Sequence, residues 1–527
     1  MKTNEGQVLF PPPGKTPRED TAAVMRFYEL PKGFSKAVLA DARRAAATLN
    51  DVRPSKPTAT DPGRLDLRKK FIFTCDPVTA RDYDDALSLE TDRKGNRILG
   101  VHIADVSHFV TPGSALDREA YKRSTSVYFA DRVVPMLPEE LCNGVCSLVP
   151  NEDRLAFSVF MTFDKKGAMT KRTFAKSIIR SKARFTYEEV MTVLSGGVAK
   201  KLGKRETKLV REINELAQQL RALRFSAGAL DLEVPEAEVV LDGEGEMTGI
   251  VTRPYDESHQ MIEECMVAAN EAVAQELWTK GVKILARLHE APDEEKLMML
   301  RADLRGLGVK MGNIANQQVF AQFLKSIKKN PLYPTIAVMV LRSMKRAVYD
   351  ATAIGHFGLA KRFYAHFTSP IRRYPDLTLH RQLADYLAAG VAKARVAPRT
   401  LAKWAAHTSE REEIAAEAER GLLEIKKYRL LEDQINSRQI LDYDAVIAKC
   451  APFGCFVEIP ELAVSGLVHV SLLSHKYVTF NESDHSLSAP GGKSWRVGDR
   501  MKVHVARVDF KQRKLDFVPC SPRRSSR

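Results

Sequence analysis

FIFTCDPVTARDYDDALSLE, residues 71 to 90, is the stretch that decides how the rest of the chain is read. Phe71, Phe73 and Cys75 place apolar residues at every second position, the period of a half-buried strand. Four aspartates follow, Asp76, Asp82, Asp84 and Asp85, before the apolar run Ala86-Leu87-Ser88-Leu89 resumes. Carboxylates crowded between two apolar runs repel one another unless a cation sits among them. A hard divalent cation with a preference for oxygen, Mg²⁺ or in its place Mn²⁺, suits such a set. A solvated acidic turn would use the same residues. An EF-hand loop is excluded, because no glycine or distal glutamate falls where that loop needs one. If the segment is extended, Asp82 and Asp84 share a face and Asp85 points elsewhere.

Downstream, residues 99–106 and 155–163 have the apolar content of buried strands, residues 126–129 read as a short strand, and residues 117–123 and 204–224 read as helices. Residues 258–278 form a stronger helix, with Ile262, Cys265, Met266, Ala269, Val273 and Leu277 as its apolar stripe. Glu263 and Asn270, seven apart, share another face of it, either solvated or lining a site. In HFTSPIRRYPDLTLHR, residues 366–381, Pro370 ends one element and Arg372 and Arg373 stand near the start of the next. A helix start attracts anions through its free N–H groups, and the guanidinium fork matches phosphate. Paired surface arginines, neutralised by acids such as Asp376, are the plain alternative. Residues 402–432 read as a long charged helix containing Glu419.

From about Ser437 the pattern changes to short strands separated by turn residues, which suggests a small Greek-key barrel such as an OB fold. Residues 437–527 hold 14 Lys and Arg against 9 Asp and Glu. Phe453, Phe456 and His469 are interleaved with those cations, and aromatics beside cations suit stacked bases and a phosphate backbone.

Composition narrows the class. A length of 527 residues implies more than one domain. A net charge of +15 favours a polyanionic partner. Seven scattered cysteines with no paired CxxC units argue against a zinc ribbon and suit a reducing cytoplasm. No run of about 18 apolar residues occurs, so no membrane span is expected. No Walker loop occurs, which excludes an ATP-driven motor of that type. The Pro-rich residues 1–20 read as a disordered tail. Ser35 reads as the N-cap of a following helix, and residues 51–66 as a linker.

Together these segments resemble the ribonuclease II / ribonuclease R family, the RNB exoribonucleases. TCDPVTARDYDDALSL is similar to the family's metal-site signature. HIADVSHFVTPGSALDREAYKRSTSVYFADRVVPMLPEELCNGVCSLVPNEDRLAFSV, HQMIEECMVAAN, ARLHEAPDEEKL and HFTSPIRRYPDLTLHR follow in the family's order. The resemblance implies an α+β catalytic RNB domain, mixed sheets with helices around an RNA channel, over residues 65–436. It implies an OB-fold RNA-binding barrel of the ribosomal-protein S-one type over 437–520, leaving residues 1–64 and a basic tail, 521–527. Family members carry two cold-shock barrels ahead of the catalytic domain. About 65 residues stand there in this sequence, and residues 24–44 are read as a remnant of the second barrel's exit. The first barrel strand has Asp444-Ala445 where the family usually has a glycine.

The resemblance also implies roles. Asp76, Asp82, Asp84 and Asp85 hold Mg²⁺, Tyr128 stacks on the 3′-terminal base, Glu263 and Glu419 lie near the terminal nucleotide, and Arg372 stands on the scissile phosphate. Asp84 and Arg372 are the catalytic pair. The expected activity is 3′ to 5′ hydrolysis of single-stranded RNA to nucleoside 5′-monophosphates by a cytoplasmic monomer. The rival expectation, a catalytically weak RNA-binding regulator on the same scaffold, would be signalled by loss of an aspartate, and all four are present.

Overall fold

The apolar alternation ahead of the aspartates becomes strand β2 (Phe73–Asp76) and the run after them strand β3 (Asp85–Thr91). The computed structural model describes residues 10–520 apart from 59–60, 200, 233–236, 253, 313–315, 331, 439 and 483–485. The remaining strands of this region are β1 (Leu65–Asp66), β4 (Arg97–Ala104), the short pair β5 (Val127–Tyr128) and β6 (Val133–Val134), β7 (Asp153–Phe163), β8 (Met169–Arg180) and β9 (Ala183–Thr186). All but β5 and β6 join one seven-stranded sheet in the order β1-β8-β7-β4-β3-β2-β9. The outermost pairs, β1 with β8 and β2 with β9, are parallel, and the others antiparallel.

Alternation sorts the sheet's two faces. Leu99, Val101 and Ile103 of β4 and Phe157, Val159, Met161 and Phe163 of β7 point to one side. There they pack on the helix Glu257–Thr279 through Met261, Cys265, Ala269 and Val273, and on the helix Lys204–Ser226 through Val210, Ile213 and Ala217. The opposite face carries a buried chain of hydrogen bonds across four strands. Ser88 Oγ lies 2.9 Å from His102 Nε2, His102 Nδ1 2.7 Å from Ser158 Oγ, and Ser158 Oγ 2.7 Å from Ser177 Oγ. Leaving one such buried group unpaired would cost about 1–3 kcal/mol. Gly100 sits under this chain; a Cβ there would come 2.4 Å from Ser88 Oγ.

The N-terminal segment departs from expectation. Residues 1–9 lie outside the described residues, but residues 10–20 are packed rather than a disordered tail. Asp20, fully buried, opens helix α1 (Asp20–Phe27) and receives Lys426 Nζ at 3.0 Å and Arg429 Nε and Nη2 at 2.8 Å each. Both cations belong to the long helix Pro398–Asn436. A buried charge must be paired, so this clamp fixes the segment. Pro11 lies so close to that helix that a Cβ on Gly421 would meet its Cγ at 2.9 Å. Residues 24–44, read as a barrel remnant, supply the second half of α1 and most of α2 (Lys36–Ala47), the latter capped by Ser35, whose Oγ accepts from the Val38 N–H at 3.3 Å.

The C-terminal region is a closed five-stranded barrel with neighbours in the order Tyr443–Ala451, Gly454–Ile459, Val464–His469, Lys514–Pro519, Arg500–Asp509. The missing glycine is accommodated: Ala445 is buried in the barrel core, and Asp444 faces out to Lys502 at 3.1 Å. The tail 521–527 lies outside the described residues.

Candidate active site

Antiparallel pairing of β2 with β3 brings Asp76, at the end of one strand, beside Asp85, at the start of the other. Residues 77–84 between them form a loop rather than extended chain, so strand parity does not orient Asp82 and Asp84. Distant groups hold this loop. Ser147 Oγ donates to the Arg81 carbonyl at 2.7 Å and accepts from the Tyr83 N–H at 3.0 Å. Arg184, on β9, donates to the Pro77 and Val78 carbonyls at 2.7 and 3.0 Å.

Asp84 lies deepest in function-bearing surroundings. It is 5% exposed, its Oδ1 accepts from the Ile371 N–H at 3.0 Å, and its Oδ2 lies 3.8 Å from Arg372 Nε. Burial pushes its carboxyl well above the usual range, although Arg372 pulls the other way. Burial, then the charge of Asp85, pushes Asp76 up to about 8, and burial raises Asp85 to about 6 against the pull of Arg372. Asp76 Oδ2 is buried with no hydrogen-bond partner. A buried carboxylate oxygen without a hydrogen-bond partner, among carboxyls raised by burial, fits a divalent metal. The four carboxylates remain splayed. Among the described residues, three metal-ligating atoms within 4.8 Å of one another occur at Asp442, His504 and Cys520, not here.

The two arginines of residues 366–381 separate. Arg373 is held inside by Asp376, Nη2 to Oδ1 at 2.8 Å, and the same Oδ1 accepts from the Ser369 N–H at 2.8 Å. The paired-arginine alternative therefore describes Arg373. Arg372 is half-exposed toward Asp84 and donates to Ser369 Oγ at 3.1 Å. Its carbonyl accepts from the Ser126 N–H at 3.0 Å, and Tyr374 N–H donates to Ser124 O at 2.8 Å, which ties this turn to the segment leading into β5.

Tyr128, on β5, is 40% exposed, and its hydroxyl donates to Asp82 Oδ2 at 3.3 Å. Burial of that end and the charge of Asp82 raise the hydroxyl, so it stays a donor. Its backbone N–H donates to Glu419 Oε1 at 2.7 Å. Burial raises the Glu419 carboxyl, partly offset by that bond. Asp82, Tyr128 and Glu419 thus form one connected line. The hairpin of β5 and β6 rests on a cluster built from Val24, Met25 and Tyr28, Val127, Phe129 and Val134, and Ala418 and Leu422. Thr21 Oγ1 also donates to Asp131 Oδ1 at 2.9 Å.

Glu263 belongs to a different group. Its Oε1 accepts from Arg224 Nη2 at 3.2 Å and its Oε2 from the Tyr255 hydroxyl. Asn270, on the same helix, is buried and structural, donating to Tyr364 Oη at 3.2 Å and accepting from the Phe367 N–H at 2.8 Å. On the barrel, Phe453 is 49% exposed and meets Phe456 edge-on, centroids 5.9 Å apart. His469 is exposed beside them, its backbone paired with Gly454, and Lys449 lies opposite Phe456. The three residues form one outward patch rather than core. Sequence reasoning missed Ser147, Arg184, Ser369 and the Asp20 clamp. The partners of Ser147, Arg184 and Asp20 lie far off in the chain, whereas Ser369 meets Arg372 and Asp376 within the same segment, where serine carries no pattern that marks it.

This mixed sheet with its carboxylate–arginine site, followed by a small barrel, defines a class. Residues 64–389 match the RNB domain model and residues 442–518 the S1 RNA binding domain model; the chain belongs to the RNB family. Its relatives carry a more particular name. The chain is 42% identical to Ribonuclease R of Thermotoga maritima over 463 residues, covering 86% of this chain and 65% of that protein. It is 37% identical to Ribonuclease R of Escherichia coli over 518 residues, covering 95% and 62%. It therefore spans about two thirds of the length of these relatives. In fold it is similar to Mycoplasma genitalium RNase R in complex with ribose methylated single-stranded RNA, with a TM-score of 0.85 and 27% identity over 96% of this chain and 78% of that one.

Proposed function

We propose that the protein is a 3′ to 5′ exoribonuclease that hydrolyses single-stranded RNA to nucleoside 5′-monophosphates and requires a divalent metal, Mg²⁺ with Mn²⁺ as a substitute. The observation that carries this reading is the convergence of Asp84, Arg372 and Tyr128, through Asp82, on one surface. Asp76, Asp82, Asp84 and Asp85 would hold the metal, which when bound supplies an activated water and Lewis-acid stabilisation.

The chain's own residues do the rest. Asp84, anchored by the Ile371 amide, keeps a carboxylate oriented beside the reacting phosphate. Arg372, half-exposed and steered by Ser369, presents N–H donors to the non-bridging oxygens, where charge grows in the transition state. Tyr128 offers its ring face to the terminal base while its hydroxyl and backbone N–H are fixed by Asp82 and Glu419. Glu419 and Glu263 can accept from ribose hydroxyls, which favours RNA over DNA; each Glu263 oxygen keeps a second lone pair beside its present donor. The patch of Phe453, Phe456 and His469 would hold upstream RNA.

The reading places the protein in the cytoplasm as a monomer; among the described residues no helix is long and apolar enough to cross a membrane. The test is a single-stranded RNA labelled at its 3′ end, incubated with protein and Mg²⁺. Labelled 5′-mononucleotide should appear at once and vanish with chelator. Internal fragments as the first product, or no product, would refute the reading.

A further inference from the structure

Three metal-ligating side chains outside the acidic site converge at the end of the barrel where the chain enters and leaves it. Asp442 immediately precedes the first barrel strand, His504 lies within the strand Arg500–Asp509, and Cys520 immediately follows the last strand. The register brings them together. Tyr443 pairs with Val503, Val503 with Pro519, and the Cys520 N–H donates to the Lys502 carbonyl at 2.8 Å. Val503 and Val505 point into the barrel core, so His504 between them points out, over the seam between the first and last strands. Cys520 Sγ lies 3.1 Å from Asp442 Oδ1 and 3.8 Å from His504 Nδ1, and all three ligand atoms lie within 4.8 Å of one another.

We propose that Asp442, His504 and Cys520 form a binding site for a borderline-soft divalent cation, with Zn²⁺ the fitting ion and water as fourth ligand. Zinc bonds of about 2.3 Å to sulfur and about 2.0–2.2 Å to nitrogen and oxygen give tetrahedral ligand–ligand edges of about 3.4–3.6 Å. The separations of Cys520 from Asp442 and from His504 straddle that value, and all three ligand atoms lie within 4.8 Å, close to the spacing a tetrahedral site needs. One thiolate, one imidazole and one carboxylate suit zinc and not Mg²⁺, which takes oxygen in octahedral geometry. The site is thereby chemically distinct from the aspartates of the catalytic domain. On binding, the S–H bond of Cys520 breaks, its proton leaves to solvent, and the sulfur lone pair bonds the metal; nothing is oxidised or reduced.

The ion would fasten the chain where it enters the barrel to the chain where it leaves it. Phe453 and its neighbours lie past the other end of the first strand, so the consequence is bracing of the barrel rather than grip on RNA. A plain thiol hydrogen bond from Cys520 to Asp442, with His504 merely adjacent, would need no metal.

Co²⁺ distinguishes the two. The full chain is stripped with chelator and titrated with Co²⁺, whose bond to a thiolate gives a near-ultraviolet charge-transfer band. Apart from Cys520 the cysteines are buried. The band should saturate at one equivalent, be displaced by Zn²⁺ and survive excess Mg²⁺. It should be absent from Cys520→Ser and weakened a hundredfold or more in affinity in His504→Gln. Zn²⁺ should raise the melting temperature of the parent and not of Cys520→Ser. Absence of the band in the parent, or its persistence in a folded Cys520→Ser chain, overturns the proposal in favour of the hydrogen bond.

Discussion

Arg372 and Asp84 stand 3.8 Å apart, Nε to Oδ2, while the other oxygen of the same carboxylate takes the amide of Ile371. One turn thus delivers a backbone donor and a cation to one buried acid. Neither partner is fully satisfied by the other. Burial still holds the Asp84 carboxyl above the usual range, and Arg372 remains 43% exposed. A pair that stabilised only the fold would have buried the guanidinium, as Asp376 does for Arg373. Arg372 is instead left facing outward with donors to spare, which is the arrangement phosphate recognition asks for.

Tyr128 should control how far digestion runs. Stacking of a base on an aromatic is worth about 1–3 kcal/mol. Tyr128→Ala should therefore release a longer final fragment while mononucleotide release continues. Sizing the end product of a 5′-labelled RNA checks this; an unchanged end product and rate would make Tyr128 a structural tyrosine.

The Asp20 clamp should carry stability out of proportion to its place in the chain. Asp20→Ala strands Lys426, 2% exposed, together with Arg429. Breaking a buried pair in this way costs about 3–5 kcal/mol. Because α1 shares its cluster with the Tyr128 hairpin, limited proteolysis should cut near residues 10–30 and the end product should lengthen as in Tyr128→Ala. Unchanged denaturation and cleavage patterns would mean the segment is dispensable.

Acid should weaken the fold through His102. Burial, and then Lys70, lowers its pKa from 6.5 to about 3, so it is neutral in the folded chain. The unfolded chain binds its proton below about 6.5, so its contribution to stability is present above that pH and is lost as pH falls toward 3. The loss is at most about 1.4 kcal/mol per pH unit. The measurement is the urea stability of the parent minus that of His102→Gln at pH 7, 6 and 5; the aspartates titrate in both and cancel. The difference should shrink on acidification. A constant or growing difference would mean His102 is charged in its hydrogen-bonded row.

The barrel should bind RNA through its charge. Truncation before Ser437 should weaken affinity and reduce the log–log salt slope by about 0.7 for each lost phosphate contact. An unchanged slope would take the barrel out of substrate binding.

Much of this was legible in the chain. Alternation at residues 71–75 marked β2, the apolar run at 99–106 marked the central strand β4, and the stripe on the helix Glu257–Thr279 marked the helix that packs on the sheet. Strand β8 was not read, because its lysines, arginines and threonines hide an alternation whose buried members gather only near its end. Extended chain and turn both stayed open for the segment carrying Asp82 and Asp84, since the ties to Ser147 and Arg184 that hold it as a loop cross long stretches of sequence. The N-terminal residues were read as a tail because proline and polar residues resemble disorder until Lys426 and Arg429 are seen on the other side. Helical phase set Glu263 and Asn270 together, but phase carries no information about partners: one meets Arg224 and Tyr255, the other braces the chain at Phe367.

The most direct test of the central claim is Asp84→Asn, with mononucleotide release and RNA affinity measured on one preparation. The substitution keeps the shape, removes one anionic ligand and relieves repulsion among like charges, so the chain should fold. Cleavage should fall by on the order of 10² or more, while RNA binding persists or tightens because a negative charge facing phosphate is gone. Near-normal cleavage by the folded variant would contradict the metal assignment, and loss of RNA binding by it would contradict the account of the site's charge.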